Sequence, residues 1–357
     1  MKTSSRYIQP APLGLFDAQD RLEQIRQLGD PLAALEAVMD WTIFLPVLAR
    51  IPRAEPKAPG GRPAYAPLLL FKILVLQSLY GLSDEQAQFQ ILDRRSFHEF
   101  LGLTVADRVP DQNTIREFRE KLTQAELFSE LFAAFNTRLT DRGFITRKGQ
   151  IIDASFVEVP RQRNRRVENA VIKQGAVPTG WEEDTKRLAH KDLDARWTKK
   201  NEQSYYGYKD HVVADLTSKL IVRAEVTAAS AHDSQALDSL TRPGDPETWA
   251  DSAYTGAPCE AIFAAKGITA HVSEKGTRGH ELTKGQKRMN RAKSRKRARV
   301  EHIFGFMTGS MRAMFQRVVG YARNRAGILL ANLVYNMART EQIIRLQLWG
   351  RKTPTLG

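Results

Sequence analysis

Apolar residues in the first 140 positions recur with the period of a helix. Residues 68–79 are apolar on most of the helix circumference, which favours the centre of a small bundle. Ser83 and Gln86 form a capping box, and Asp111 or Asn113 is suited to cap a later helix. The spacing predicts three further helices, over residues 84–93, 115–122 and 127–139. We predict an all-helical N-terminal domain over residues 1–140, whose pattern fits both a helix-turn-helix and a plain bundle.

From residue 149 the period changes to that of strands. Strands are predicted over residues 150–159, 208–215 and 220–226, the last two forming a hairpin. Short strands at 248–250 and 268–272 alternate with helices at 232–240 and 258–265, and helices at 284–308 and 328–348 follow. Three strands in antiparallel succession and two joined by helices describe an α/β fold with a mixed sheet and flanking helices. We predict this second domain over residues 145–350.

Two segments are predicted to lack regular structure. Residues 51–67 contain five prolines and two adjacent glycines, which predicts a surface loop. Residues 161–204 are polar, basic and punctuated by Gly and Pro, which predicts a basic insertion between the first two strands.

Composition excludes several protein classes. With 357 residues, 42% of them apolar, the chain is long enough for two domains and a sizeable core. A single cysteine, Cys259, excludes an internal disulfide and a four-cysteine zinc site. The longest apolar run contains Lys72 and Gln77, and we find no signal peptide or membrane span. We expect a reduced, cytoplasmic protein that does not bind membranes.

The net charge of +14 is concentrated in one segment. Residues 275–299 contain eleven Lys or Arg residues and one acid, Glu281, a net charge of +10. A smaller basic cluster consists of Arg161, Arg163, Arg165 and Arg166. Concentrated positive charge is typical of a nucleic-acid contact, although a basic tail or a solvated helix face has the same composition. We expect a nucleic acid as the partner.

Three acidic residues occupy positions in the predicted strands and helices that would bring them close together. Asp153 is placed at the end of the first apolar strand, Asp251 directly follows strand 248–250, and Glu301 lies on the helix after the last strand. Residues that leave strand ends converge at one edge of an open sheet, and two divalent cations held by such carboxylates catalyse phosphodiester chemistry. Ordinary explanations also exist: the aspartates as turn or cap residues, and Glu301 as the partner of Arg297 one helical turn earlier.

Other chemistries find less support. The pair His98-Glu99 lacks the second histidine of a zinc-protease helix, and neither a Lys-Ser/Thr phosphate loop nor a nucleophile elbow is present in the sequence. His232-Asp233 fits either a contact that positions DNA or a capping aspartate beside a solvated histidine.

Together these residues resemble a known family. Ile-Ile-Asp153-Ala-Ser, Trp-Ala-Asp251-Ser-Ala-Tyr-Thr-Gly and Arg-Ala-Arg-Val-Glu301-His-Ile-Phe-Gly look like the motifs of the DDE transposases of bacterial insertion sequences, in particular the insertion-sequence-five family. Asp194-Ala-Arg-Trp-Thr, Tyr206-Gly-Tyr-Lys-Asp-His211 and Ala231-His-Asp-Ser are similar to further motifs of that family, and residues 62–122 resemble its N-terminal domain.

The resemblance implies a ribonuclease-H-like catalytic domain and an N-terminal domain that binds DNA ends. It implies two Mg²⁺ ions per site, replaceable by Mn²⁺, with Asp153, Asp251 and Glu301 as catalytic metal ligands. It also implies a homodimer or higher multimer acting on transposon ends and target DNA, in the bacterial cytoplasm at the nucleoid.

The family's helix carries Tyr, Arg, Glu and Lys at set spacings. Arg297 and Glu301 match it, whereas Ser294 and Thr308 replace the tyrosine and the lysine. We expect Arg312, one turn beyond Thr308, to substitute for the missing lysine. The full set of expected DNA contacts is Lys293, Arg297, Arg161, Arg163 and Arg312.

The sequence therefore predicts a transposase that cleaves element ends by metal-dependent hydrolysis and joins the freed 3′-hydroxyl to target DNA. Two alternatives remain: a nuclease of the same fold that cuts without joining, and a non-enzymatic DNA-binding protein derived from such an element. The intact acidic trio argues against the last.

Overall fold

The computed structural model describes residues 14–52, 63–200, 202–276, 280–350 and 353–356. The predicted loop at 51–67 falls mostly on residues 53–62, which lie outside the described residues. The helices in these ranges are α1 (Asp17–Gln27), α2 (Pro31–Val38), α3 (Leu45–Leu48), α4 (Pro67–Tyr80), α5 (Asp84–Asp93), α6 (Arg95–Leu101), α7 (Gln112–Gln124), α8 (Leu127–Asp141), α9 (Arg166–Lys173), α10 (Thr185–Ala189), α11 (Leu237–Leu240), α12 (Ala257–Ala265), α13 (Lys284–Arg297), α14 (Glu301–Gly309) and α15 (Tyr321–Arg345). The strands are β1 (Gln150–Glu158), β2 (Arg196–Lys200), β3 (Gln203–Asp215), β4 (Ile221–Ala228), β5 (Thr248–Ala250) and β6 (Ala270–Val272).

The N-terminal region is helical, as the apolar spacing predicts. The capping box at Ser83 and Gln86 is present, and Asp111 rather than Asn113 caps α7 by accepting the Thr114 N–H at 2.7 Å. Helix α4 is buried from Leu70 to Gln77 because it is apolar on nearly all sides. It occupies the centre of the bundle.

Helices α4 and α5 meet at 102° across a short turn that begins with Gly81, at φ 62°. This is the angle and turn chemistry of a helix-turn-helix. The second helix, however, carries Asp84 and Glu85 in its first turn and has no basic residue in its last turn, and Asp84 pairs with Arg119 of α7. The geometry of the motif is therefore present, while the charge of α5 does not favour a DNA contact.

The sheet is mixed, and its order is β2-β3-β1-β5-β6, with β4 also paired to β3. Strands β1, β3 and β4 are antiparallel neighbours, and β5 and β6 run parallel to β1. Three antiparallel strands followed by two parallel ones, with helices on the faces, is the arrangement of a ribonuclease-H-like fold. The predicted fold class is confirmed.

The segment 161–204 is not the unstructured insertion that its composition predicts. It contains α9, α10 and β2, a strand in addition to the five predicted ones. Strand β2 pairs with the first half of β3. Few apolar residues are needed here, because only a few side chains of the segment are buried, among them those of Trp181, Ile172 and Ala195. Buried Asp192 holds the segment in place by accepting hydrogen bonds from the Tyr208 hydroxyl at 2.7 Å and the Gly320 N–H at 3.0 Å.

Two predicted C-terminal helices have different bounds. The helix expected over 284–308 is broken by a 3-10 turn at Ala298–Val300, which separates polar α13 from α14, whose Ile303 and Met307 are buried. Helix α15 begins seven residues before the predicted start. The polar residues Asn324, Asn332 and Asn336 hide its pattern in the sequence, although all three are fully buried in the structure.

One hydrophobic cluster joins the helical region to the sheet. It includes Phe71 and Phe135 from the helices, Val212 and Trp249 from the sheet, and Leu333 from α15. Helix α15 packs against α2, α4, α7, α8 and β4. The boundary near residue 140 stays a prediction, since the two regions share this core.

Among the described residues no single helix has both the length and the hydropathy to cross a membrane. Two bent pairs, Pro31–Val38 with Trp41–Leu48 and Pro67–Tyr80 with Asp84–Asp93, reach them only when counted together.

Asp210 of β3 is fully buried where α15 crosses the sheet. Its Oδ1 accepts the amide of Asn332 at 3.1 Å, and burial raises its pKa to about 7. The second oxygen of Asp210 and the amide oxygen of Asn332 have no other partner in the described part of the chain. The neutral carboxyl avoids an unpaired buried charge, and its O–H can donate a hydrogen bond, which a carboxylate cannot.

We expect Asp210 to make folding pH-dependent. Its pKa is near 3.9 in the unfolded chain and about 7 in the folded one, so its stabilising effect is complete below pH 4 and is lost as the pH rises to about 7, by about 1.4 kcal/mol per unit. Asp210→Asn cannot titrate. The free energy of unfolding is measured in urea from pH 4 to 7. The value for the variant minus the value for wild type should increase with pH. A difference that stays constant with pH would contradict a protonated Asp210.

Candidate active site

Asp153 and Asp251 lie side by side on neighbouring parallel strands. Ile152 pairs with Ala250, the last residue of β5, so Asp251 leaves the sheet next to Asp153. The sequence predicts Asp153 at the end of the first strand. It lies inside β1 instead, because β1 continues to Glu158 along β3. Because β5 is short and ends at Ala250, no β5 residue is paired with Asp153 of β1.

The environment of Asp153 disfavours its charged form. Burial raises its pKa to about 6, and the neighbouring Asp251 acts in the same direction. Three groups oppose this: the Arg297 guanidinium, the Ala154 N–H, which Oδ1 accepts at 2.9 Å, and Lys200. The Arg297 Nε lies 3.5 Å from Oδ2 of Asp153. Asp251 caps the 3-10 turn Ser252–Tyr254 by accepting the Ala253 N–H at 2.8 Å through Oδ1.

The third acid is not beside the other two. Glu301 is the first residue of α14, is exposed, and makes no ion pair with any described residue. Within the described ranges no group of three His, Cys, Asp or Glu side chains is close enough to hold a metal ion. The 3-10 turn Ala298–Val300 separates Arg297, which points to Asp153, from Glu301.

Comparison with known families shows the family of the chain. The profile of the transposase DDE domain matches residues 145–337, and that of a second transposase domain matches residues 20–121. This chain belongs to the DDE transposase family.

A solved structure is also similar in outline. The piggyBac transposase, in a synaptic complex with hairpin DNA, aligns with 93% of this chain and 79% of its own, at 11% identity and a TM-score of 0.42. A likeness at this level carries no argument about the mechanism of this DDE transposase.

Two of the three predicted ligands in this transposase, Asp153 and Asp251, fit a site for a divalent cation. DDE transposases generally use divalent metal ions. Asp153 and Asp251 supply carboxylate oxygens on adjacent strands, the hard ligands that Mg²⁺ prefers, and Mg²⁺ needs only one or two carboxylates besides water and phosphate. Burial, and to a smaller extent Asp251, raises the pKa of Asp153, and a bound cation would act in the opposite direction.

Helix α13 presents two different stripes. Its half-buried stripe, Gln286, Asn290, Lys293 and Arg297, contacts the sheet and the segment after it. Asn290 donates to the Glu274 carbonyl at 2.9 Å, and Lys293 donates to the Val272 carbonyl at 2.7 Å. The opposite stripe is exposed, and in the described part of the chain its cations have no partner: Lys284, Arg288, Arg291 and Arg295. Lys293 and Arg297, both expected to bind DNA, therefore share a face, and that face is turned to the protein.

The other expected DNA contacts are exposed but scattered. Arg161 lies 3.7 Å from Glu158 and stacks 5.5 Å above the Trp197 ring, and Arg163 lies two residues further on. Arg312 is not one helical turn beyond Thr308, because α14 ends at Gly309 and Arg312 adopts a left-handed φ of 53° in a turn beside Gly81. Its expected role in place of the missing lysine stays a prediction.

Two motifs without an assigned role meet next to the site. Lys209, from Tyr-Gly-Tyr-Lys-Asp-His, contacts Asp233, from Ala-His-Asp-Ser, at 2.7 Å. Asp233 is therefore an ion-pair partner, and exposed His232 is the residue that caps the following turn. Gly207 is required in the first motif because a Cβ there would lie 2.3 Å from the Val157 carbonyl oxygen.

Tyr254, which the sequence suggests only as a packing residue or a DNA contact, is a further residue of the site. It is 1% exposed, and its hydroxyl has no hydrogen-bond partner among the described residues. Burial, together with Asp233, Asp153 and Asp251, raises the pKa of this phenol well above its usual value. It is a neutral donor beside three carboxylates. Only its position three residues after Asp251 signals it in the sequence.

We expect Arg297→Gln to raise the pKa of Asp153 above about 6, because the guanidinium is the strongest group that lowers it. The pKa is measured by carbon NMR of carboxyl groups in metal-free protein, with the Asp153 resonance assigned from Asp153→Asn. Lys296→Gln is the matched control, since Lys296 lies over the Trp249 ring and not on Asp153. Equal pKa values in wild type and Arg297→Gln would show that the ion pair does not form in solution.

Proposed function

We propose that this protein is an insertion-sequence transposase of the insertion-sequence-five type. It binds the ends of its element, cleaves them by metal-dependent hydrolysis and joins the freed 3′-hydroxyl to target DNA, at the nucleoid of a bacterial cell. The observation that carries the proposal is the pair Asp153 and Asp251 at adjacent strands of a ribonuclease-H-like sheet, with basic helix α13 anchored directly beside it.

Asp153, Asp251 and Glu301 are the proposed ligands of two Mg²⁺ ions, for which Mn²⁺ can substitute. The place of Glu301, one turn after the arginine that touches Asp153, supports its inclusion. When bound, the cations supply the charge stabilisation that the attacking and leaving oxygens of a phosphodiester need. A bound cation would favour the ionised form of Asp153 and would compete with Arg297 for that carboxylate.

The exposed stripe of α13 is the proposed contact with the DNA backbone. Its four cations project from one side of a helix whose other side is fixed to the sheet at Val272 and Glu274. DNA on this stripe would lie along the outer side of α13, and a further part of the same molecule would have to reach the two aspartates. Arg161 and Arg163 extend the positive surface, and a second protomer would supply the partner site for the other element end.

We expect each of Asp153→Asn, Asp251→Asn and Glu301→Gln to abolish DNA cutting and joining, since each removes a ligand charge at nearly constant volume. Binding to a labelled element end in Ca²⁺ should stay within about threefold of wild type, because Ca²⁺ supports assembly with little turnover. Glu281→Gln, an exposed acid of the same basic segment, is the matched control and should stay active.

The product distinguishes the three functions in a reaction with Mg²⁺, a labelled element end and a target plasmid. Joined product supports the transposase. Nicks alone indicate a nuclease, and binding alone indicates a DNA-binding protein. Full activity in a chelator, or in any one of the three variants, would overturn the metal assignment for the residues concerned.

We expect Arg291→Ala with Arg295→Ala to weaken binding to specific and random duplexes alike. The slope of log K against log salt should fall by about 1.8, from about 0.9 per phosphate contact. Lys293→Ala with Arg297→Ala removes the same charge from the inner stripe and should change the slope much less, since these side chains are engaged with Val272 and Asp153. The reverse result would assign the DNA contact to the inner stripe, as the sequence alone suggested.

A further inference from the structure

Three positively charged side chains meet at the turn between β3 and β4. Arg299, in the 3-10 turn after α13, donates from Nη1 to the Leu216 carbonyl at 2.8 Å. Arg339 of α15 donates from Nε to the Ser218 carbonyl at 2.9 Å. Lys219 is the next residue of the same turn. We call these three side chains, Lys219, Arg299 and Arg339, the turn cluster.

No acid among the described residues forms an ion pair with the turn cluster. Arg339 is only 8% exposed, and a buried charge without a counter-ion is costly. Burial, then Arg339 and Arg299, lower the pKa of Lys219, and no carboxylate is among the groups that shift it. The three cations therefore repel one another in a partly buried place, without an ion pair to balance them.

Three acids lie close to the turn cluster in the sequence, and none of them neutralises it. Asp215, the last residue of β3, is 2% exposed and accepts backbone N–H groups from the start of the turn and from residues 146 and 147. Glu341 of α15 pairs with Arg345 at 2.5 Å. Glu301 is exposed and makes no ion pair with any described residue. A bound anion would supply the charge that these acids do not.

The donors of the turn cluster suit a phosphate group. Guanidinium groups bind phosphate oxygens through parallel N–H donors, and a lysine adds a compact point charge. The carbonyl contacts of Arg299 and Arg339, and the contact of Arg339 with Gln342, leave the Nη2 group of each guanidinium without a partner in the described part of the chain. Both arginines are thus fixed in place by the turn and keep donors for a ligand.

The turn cluster continues the positive charge of α13. Arg299 follows Arg295, the last cation of the exposed stripe, by four residues and is exposed as well. On β1, Gln150 pairs with Asp215, and Asp153 lies three residues further on, about 10 Å along the strand. A DNA backbone on the exposed stripe would therefore reach the turn cluster next, beyond the end of α13.

We propose that the turn cluster binds one phosphate group, and that this group is a phosphodiester of DNA that lies along the exposed stripe of α13. A free phosphate ion has the same chemistry, and continuity with the stripe favours the DNA. The choice of DNA rests on the proposed function, whereas the phosphate site itself does not.

Lys219→Gln removes one charge of the turn cluster and keeps the hydrogen bonds of residue 219 with Asp215 and Tyr335, because both are made by its backbone. Lys148→Gln, at an exposed lysine just before β1, is the matched control. In chloride buffer Lys219→Gln should unfold at the same temperature as wild type or at a higher one, since repulsion from the two arginines is reduced. A lower temperature would indicate a lysine that serves the fold and would contradict the site.

Inorganic phosphate is the first probe. It is titrated into the full-length protein at constant ionic strength, and the backbone amide signals of residues 217–220 are followed by NMR. Wild type should show a saturable shift. The Kd should rise about tenfold in Lys219→Gln, which loses one charge-assisted contact, and should stay within about twofold in Lys148→Gln. No saturable shift in wild type, or equal Kd values in wild type and Lys219→Gln, would overturn the site.

A DNA duplex is the second probe and identifies the source of the phosphate. The slope of log K against log salt should fall by about 0.9 in Lys219→Gln and stay constant in Lys148→Gln. Bound duplex should also prevent the shift caused by free phosphate. Phosphate binding with an unchanged slope would overturn the choice of DNA and assign the site to the free ion. Phosphate binding by a wild type that binds no DNA would support the site and contradict the proposed function.

Discussion

The partial burial of Asp153 beside Asp251 is the constraint on which the rest of the site depends. Two acids at adjacent strands of a largely buried sheet edge repel each other, and burial of an unpaired charge is costly. The contact with Arg297 offsets part of this free-energy cost. Arg297 can do so only if α13 is held at the strand ends, and polar contacts from Gln286, Asn290 and Lys293 hold it there. A helix with no buried residue is thereby docked without an apolar face.

Buried amides connect the helical region to the sheet in a comparable way. Asn136 of α8 donates to the carbonyls of Ile221 and Val222, at the start of β4, at 3.1 and 3.0 Å. Asn336 of α15 binds both Asn136 and the Ile221 backbone. Such a network stabilises only one relative placement of α8, α15 and β4, because any shift leaves buried polar groups unsatisfied. The position of the sheet relative to the bundle, and so of the site, follows from these contacts as well as from the shared apolar core.

The sequence was informative where structure depends on local pattern. The capping box at Ser83, the short strand at Thr248–Ala250 and the hairpin of β3 and β4 need only neighbouring residues, and all are present. The prediction failed where tertiary contacts override composition. The sequence of β2 is polar because this strand lies at an edge of the sheet. The apolar pattern of α15 is interrupted by asparagines, which are buried and hydrogen-bonded in the structure. The adjacency of Asp153 and Asp251 was expected from strand order, whereas the contact of Arg297 with Asp153 depends on where α13 docks and has no signal in the sequence.

The charge of α13 links DNA to the geometry of the site. Like charges one turn apart on a helix, such as Lys287 with Arg291 and Arg291 with Arg295, cost about 0.2–0.5 kcal/mol each. Phosphates along the exposed stripe would remove this repulsion, so DNA that binds there also stabilises the helix. The same helix ends at Arg297, and only the turn Ala298–Val300 separates it from Glu301. Because a 3-10 turn has weaker hydrogen bonds than the helices on either side, this turn is where a change in α13 would alter the direction of Glu301. Only three residues therefore lie between the basic helix and the third proposed ligand.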